Sequence, residues 1–98
     1  MTEAKRVSVV VPTRDRPELL REALMSIRAL ENEGLRFEIL VGDNGTSPDT
    51  RKAAEEFGAI HLHTSTSGAA AARNIAMAAA TADTIAFLDD DDVWTSNH

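Results

Sequence analysis

The first apolar segment of the chain is a run of valines. Val7, Val9, Val10 and Val11, interrupted by Ser8 and stopped by Pro12, leave almost no polar face, which is how a strand covered on both sides of a parallel sheet reads. The spacing then turns helical: Leu19, Leu20, Ala23, Leu24, Ile27 and Leu30 recur at intervals that predict one apolar stripe. Asp15, with Pro17 and Glu18 behind it, has the pattern of a capping box with proline in the first turn, and this helix is expected to reach about Gly34.

Residues 37–41 form a second apolar run, ended by Gly42, Asp43, Asn44 and Gly45. Thr46 or Ser47 with Pro48 predicts the start of a short helix carrying Ala53, Ala54 and Phe57 and closed by Gly58. Ile60 and Leu62 alternate with His61 and His63, a third strand with one wetter face towards a sheet edge. Residues 69–80 are alanine-rich and have the strongest helix propensity in the chain; Ala72, Ile75, Ala76 and Ala79 would be the buried stripe, with Arg73 and Asn74 off it. Residues 84–88 predict a fourth strand running directly into Asp89, Asp90, Asp91 and Asp92. A β-α-β-α-β-α-β order requires an α/β fold with a parallel Rossmann-like sheet, right-handed crossovers and helices on both faces. One domain over residues 1–98 is expected, without repeats or a linker.

Composition narrows the function. Apolar residues make up 43% of the chain, but 16 of them are alanine, so the core is expected to be modest and its helices closely packed. Sixteen acidic against ten basic residues, a net charge of −6, argues against a nucleic-acid backbone as partner. The absence of cysteine excludes a disulfide framework, a thiolate nucleophile and a cysteine zinc site. No apolar run approaches a membrane span, and the N-terminal residues lack a signal-peptide pattern; a soluble, cytoplasmic chain is expected.

The carboxyl ends of parallel strands share one rim, where ligands bind at the point of strand-order reversal. That rim collects residues 12–15, Asp43 and Asn44, and the four aspartates. Four successive carboxylates repel one another unless a hard divalent cation, Mg²⁺ or Mn²⁺, sits among them; the plainer alternative is a solvated acidic turn. Asp43 reads equally as a rim ligand or an Asx-turn residue, Asp15 rather as an N-cap than a ligand, and Arg73 as a solvated face or a group reaching for an anion. His61 and His63 have strand spacing for a metal, but no third ligand lies near, and an exposed strand face is the better reading.

Taken together, the segments Val7-Ser-Val-Val-Val-Pro-Thr13, Glu38-Ile-Leu-Val-Gly-Asp-Asn-Gly-Thr46, Gly68 with Ala72-Arg-Asn74, and Ala86-Phe-Leu-Asp-Asp-Asp-Asp-Val-Trp94 resemble glycosyltransferase family 2, in order and in spacing, over about residues 6–94. The resemblance implies the nucleotide-binding first half of a GT-A fold, a nucleoside diphosphate sugar as donor, and inverting transfer to an acceptor. It implies that Pro12, Thr13, Arg14 and Asp15 line the base pocket, that Asp43 or Asn44 bonds the base edge, and that Arg73 approaches the nucleotide. Asp89 and Asp91 match the ends of an Asp-x-Asp motif, Asp89 facing the ribose and Asp91 holding Mn²⁺ or Mg²⁺, with Asp90 and Asp92 in support. Arg14 stands where an aromatic residue is common and Asn44 where a second aspartate is; a guanidinium can also stack on a base.

Members of that family continue well past the aspartates, so the chain is expected to be an amino-terminal fragment without the acceptor half or general base, inactive alone and self-associating along an open sheet flank. A full-length form is expected in the cytoplasm or at the inner face of a membrane. A noncatalytic nucleotide- or cation-binding module is the alternative. A dinucleotide-binding Rossmann domain is excluded, because Pro12-Thr-Arg-Asp-Arg-Pro17 has no glycine.

Overall fold

The computed structural model describes residues 5–93; Trp94, the last residue of the acidic motif, lies outside them. Strands β1 (Lys5–Thr13), β2 (Leu35–Asp43), β3 (Ile60–His63) and β4 (Thr84–Phe87) alternate with helices α1 (Pro17–Ala29), α2 (Pro48–Glu56) and α3 (Ala69–Ala78). The strands form one sheet in the order β3-β2-β1-β4, every pair parallel. The order reverses between β1 and β4, so the crevice outside their carboxyl ends is the place where such a sheet binds ligands.

Strand parity divides the core. Val7, Val9 and Val11 face one side with Phe37, Ile39 and Val41, where they meet Leu20, Ala23, Leu24 and Ile27 of α1 and Ala53 and Ala54 of α2. Val10 and Leu40 face the other side and meet Ala76 of α3, with Leu62, Ala79 and Ala80 at its margin. This second layer is thin because its helix supplies alanines. Ala72 and Ala76 are buried as the stripe predicts, while Ile75 is half-buried. Closeness compensates for small side chains: a Cβ on Gly42 would lie 1.9 Å from the Ala72 carbonyl oxygen, so only glycine lets α3 lie against β2 there.

Two helix boundaries differ from expectation. The N-cap of α1 is Arg16, with no side-chain capping bond, because the Asp15 carboxylate turns away to the β2–α2 loop. The helix ends at Ala29 rather than near Gly34. Its last-turn Arg28 donates to the carbonyls of Phe37 (2.9 Å), Phe57 (2.7 Å) and Gly58 (3.2 Å), and Glu31 accepts from the Phe37 amide at 2.8 Å. The chain then folds back through an Asn32–Leu35 bridge, Asn32 Oδ1 taking the Gly34 amide at 2.7 Å. Local polar bonds outcompete a continued helix.

Pro12 sits in β1 without depriving the sheet of a bond. Residues 10 and 12 point their backbone groups to the β4 side, where the last ladder bond runs from the Leu88 amide to the Val10 carbonyl at 3.1 Å. Beyond it β4 has ended, so the missing N–H of Pro12 faces the open crevice.

Candidate functional site

A cleft of about 350 Å³ opens at this reversal point, walled by Pro12, Thr13, Arg14 and Arg16 after β1, Asn44 after β2, Gly68, Ala69 and Ala72 of the α3 approach, and Asp89, Asp90 and Asp91 after β4. The aspartates do not behave alike. Asp90 points inward and is only 6% exposed; its Oδ2 accepts from the Thr13 hydroxyl at 2.8 Å, and its Oδ1 lies 3.5 Å from Arg16 Nη1. A turn closed by the Asp92 amide on the Asp89 carbonyl at 3.0 Å brings the other three together on the exposed side. One carboxylate oxygen each of Asp89, Asp91 and Asp92 lies within 4.8 Å of the others.

Two such charges repel by about 1 kcal/mol in water and several-fold more in a partly dehydrated cleft. An arrangement of three hard oxygen donors suits a cation that takes oxygen ligands and keeps some of its water, as Mg²⁺ and Mn²⁺ do. The residues present therefore fit the metal that the motif implies.

A second cleft, of about 430 Å³, adjoins the first and shares Pro12 and Asp89 with it; Arg73, Phe87, Leu88 and Asp92 complete its walls. Arg73 is half-buried. Arg14 lines the first cleft and Arg73 the second, and Asp89 lines both.

The β2–α2 loop is held from outside by three side chains. Asp15, at φ 51°, a conformation that aspartate tolerates better than most residues, accepts the amides of Thr46 and Ser47 on its Oδ1, both at 2.8 Å. Those two amides, Ser47 first and Thr46 next, hold the Asp15 carboxyl below the usual carboxylate range. Gly45 leaves room for it, since a Cβ there would come within 2.4 Å of the same Asp15 oxygen. Asp43 accepts the Gly45 amide on Oδ1 at 2.8 Å, the Asx turn that its sequence context offers, and its Oδ2 lies 2.9 Å from His61 Nε2. His63 Nε2 lies 3.1 Å from the Gly45 carbonyl.

The third strand departs from the expected pattern at His61, while His63 is exposed as expected. His61 does not lie on an exposed face: its side chain is 9% exposed and folded over Asp43, while Ile60 is the outward residue at 45%. Neither does it offer a metal ligand, because Nε2 is engaged and Nδ1 is buried. The parallel register setting His61 opposite Val41 and His63 opposite Asp43 decides this, and the alternation of apolar and polar residues alone does not contain it.

Asn44 is the loop residue that reaches the cleft. Its Nδ2 donates to the Gly68 carbonyl at 2.8 Å and to that of Thr66 at 3.4 Å, which orients the amide, since only the NH₂ end can face two carbonyls. Of the positions singled out in the sequence, Pro12, Thr13, Arg14, Asn44, Asp89, Asp90 and Asp91 share one cleft, Arg73 lines the next, and Asp15 and Asp43 stand behind the wall as supports.

The sequence model of a family described as Glycosyl transferase family 2 matches residues 8–98. The chain belongs to that family. It is 34% identical over 95 residues to the UDP-Glc:alpha-D-GlcNAc-diphosphoundecaprenol beta-1,3-glucosyltransferase WfgD of Escherichia coli, covering 93% of this chain and 37% of the relative. It is also 34% identical over 97 residues to the succinoglycan biosynthesis protein ExoM of Rhizobium meliloti, covering 92% of this chain and 31% of the relative. A pre-mycofactocin glycosyltransferase of Mycobacterium tuberculosis is 39% identical over 90 residues, 87% of this chain and 17% of the relative. The chain, a member of glycosyltransferase family 2, therefore spans about a third or less of the length of these relatives. Among the described residues no helix is long and apolar enough to cross a membrane.

Proposed function

We propose that this chain forms the donor-binding part of a glycosyltransferase, holding a nucleoside diphosphate sugar and a divalent cation at the reversal point of the sheet for transfer of the sugar to an acceptor. The observation that carries this reading is the convergence of Asp89, Asp91 and Asp92 within 4.8 Å of one another at the mouth of a cleft walled by Arg14, Asn44 and Thr13. A nucleoside fits between the loops after β1 and β2, where Arg14 offers a flat cation to stack on a base and Asn44 an amide to meet its edge. The diphosphate then lies towards the acidic turn. A bound Mn²⁺ or Mg²⁺ would neutralise the phosphates and take up charge on the departing nucleoside diphosphate. Asp89, Asp91 and Asp92 would hold that cation, Asp90 would keep their turn against Thr13 and Arg16, and Arg73 would approach the diphosphate or sugar from the second cleft. The described carboxylates on this rim are all assigned to donor binding or support, and none to an acceptor base.

The name of the Escherichia coli relative specifies a UDP-glucose donor, which makes UDP the first probe. Calorimetry of UDP with and without Mn²⁺ tests the reading: binding is expected to require the cation, and Asp91→Asn to weaken it by at least about tenfold, the loss that even an outer-shell change costs in metal affinity. Equal affinity with and without Mn²⁺, or an unaffected Asp91→Asn variant, overturns it. We also propose that the chain self-associates along β4, which pairs on one side only among the described residues and exposes Ile85 and Phe87.

A further inference from the structure

We propose that His61 is a positioning residue for the cleft: by holding Asp43 it fixes the Asp43-Asn44-Gly45 turn, so that Asn44 faces the ligand. The proposal rests on the nucleotide reading for the identity of that ligand, but not for the positioning itself. His61 walls neither cleft. It stands behind the loop on β3, where the strand register brings it diagonally beside the end of β2.

Asp43 is 2% exposed, and a buried carboxylate persists only with donors on both oxygens. One donor is the Gly45 amide, supplied by the turn itself. The other is His61 Nε2 at 2.9 Å, supplied from outside the turn; donation to the carboxylate requires the proton on Nε2, while Nδ1 is buried and unpartnered. Without that donor, the cheapest relief for Asp43 Oδ2 is to rotate out to water. Such a rotation breaks the bond to the Gly45 amide and carries Asn44 away from the Gly68 and Thr66 carbonyls that orient its amide. His63, on the same face of β3, holds the Gly45 carbonyl at 3.1 Å. Asn44 is thus bracketed by a histidine-held acid before it and a histidine-held carbonyl after it.

The test compares the parent chain with His61→Leu, which removes the donor, and His61→Gln, which keeps an N–H at a similar reach. The first readout is the Asn44 side-chain amide in nitrogen–proton correlation spectra of the nucleotide-free chain, assigned by its loss in Asn44→Asp. In His61→Leu its two proton signals are expected to collapse towards free-amide values while the cooperative melt persists; in His61→Gln they are expected to stay near those of the parent. The second readout is UDP affinity in the presence of Mn²⁺, expected to fall about tenfold in His61→Leu and within about twofold of the parent in His61→Gln. Unmoved Asn44 signals in His61→Leu, or signals lost equally in both variants with intact melts, overturn the proposal. Should His61→Leu not fold, His61→Gln decides: retained Asn44 signals support the proposal and lost ones overturn it. If the parent does not bind UDP, the amide readout still decides the positioning, and the failure belongs to the nucleotide reading.

Discussion

The Thr13 hydroxyl reaches across 77 residues of sequence to donate to Asp90 Oδ2 at 2.8 Å. This bond joins the end of β1 to the turn after β4, the two walls of the crevice, and it separates one aspartate from its three neighbours. With Asp90 held inward, the turn presents Asp89, Asp91 and Asp92 on the outside. Thr13→Val keeps the shape of the side chain and removes the donor from a buried carboxylate, so a loss of about 1–3 kcal/mol of folding stability is expected, measured by urea denaturation. Thr13→Ser, which keeps the hydroxyl, should lose markedly less.

Gly42 tests the packing that places Asn44 and Arg73 around the site. A Cβ at this position meets backbone on the opposing helix, 1.9 Å from the Ala72 oxygen and 2.8 Å from its carbonyl carbon, so no rotamer change relieves the overlap. Gly42→Ala is expected to cost at least the about 1–3 kcal/mol typical of overpacking, read as a lower melting temperature. Because α3 must shift, the variant should also lose the Asn44 bond to the Gly68 carbonyl, visible in the Asn44 amide signals.

Periodicity made the element order and the two-faced sheet legible, because valine runs and alanine stripes act through burial, which depends on local spacing. The shared rim followed from parallel connectivity, and the strand order then placed the reversal between β1 and β4. What remained hidden depends on register and on competition between polar partners. Asp15 has the residue type and spacing of a helix cap, yet its carboxylate serves the amides of Thr46 and Ser47, contacts that appear only once β1 and β2 lie side by side. His61 looks outward-facing by alternation and is turned inward by Asp43. The four aspartates are indistinguishable as letters; a buried threonine hydroxyl tells Asp90 from the rest.

Glu38 links the stability of the fold to pH. Burial works against its charge, but the Thr81 hydroxyl and amide, the Ser8 hydroxyl and the nearby Arg6 together hold its carboxyl below the ordinary value, through bonds of 2.7, 2.9 and 2.8 Å and an ion pair of 3.6 Å. Its native pKa is depressed, so its stabilisation is present above the unfolded value of about 4.3 and is lost as pH falls through the lower native one. Glu38→Gln should be less stable than the parent at neutral pH, and the gap should narrow as the pH falls below about 4. Melting curves across pH 2–7 check this; a gap independent of pH would show that the charge contributes nothing.

The self-association proposed along the open side of β4 is testable by its dependence on concentration. Phe87 is 50% exposed and Ile85 38%, on a strand whose second edge has no ladder partner among the described residues, a combination that invites edge pairing. Sedimentation at rising concentration should show species larger than the monomer, and the double variant Ile85→Lys, Phe87→Lys should shift the population back to monomer.

Arg73 separates binding from folding most cleanly. It sits on α3 off the Ala72 and Ala76 stripe, makes no hydrogen bond or ion pair within the described residues, and lines the second cleft together with Asp89 and Asp92. Alanine has the higher helix propensity, so Arg73→Ala should melt at the parent temperature or slightly above it. Its removal also leaves the acidic turn without the cation on that flank, and an incoming diphosphate without a counter-charge beyond the metal. Calorimetry in Mn²⁺ should therefore show UDP affinity reduced by about tenfold, the magnitude of one charge-assisted hydrogen bond. Uridine, which has the base and ribose but no phosphate, should bind the variant and the parent alike. A matching loss for uridine would move Arg73 to the base, and a lowered melting temperature with unchanged UDP affinity would make it a structural residue of the helix.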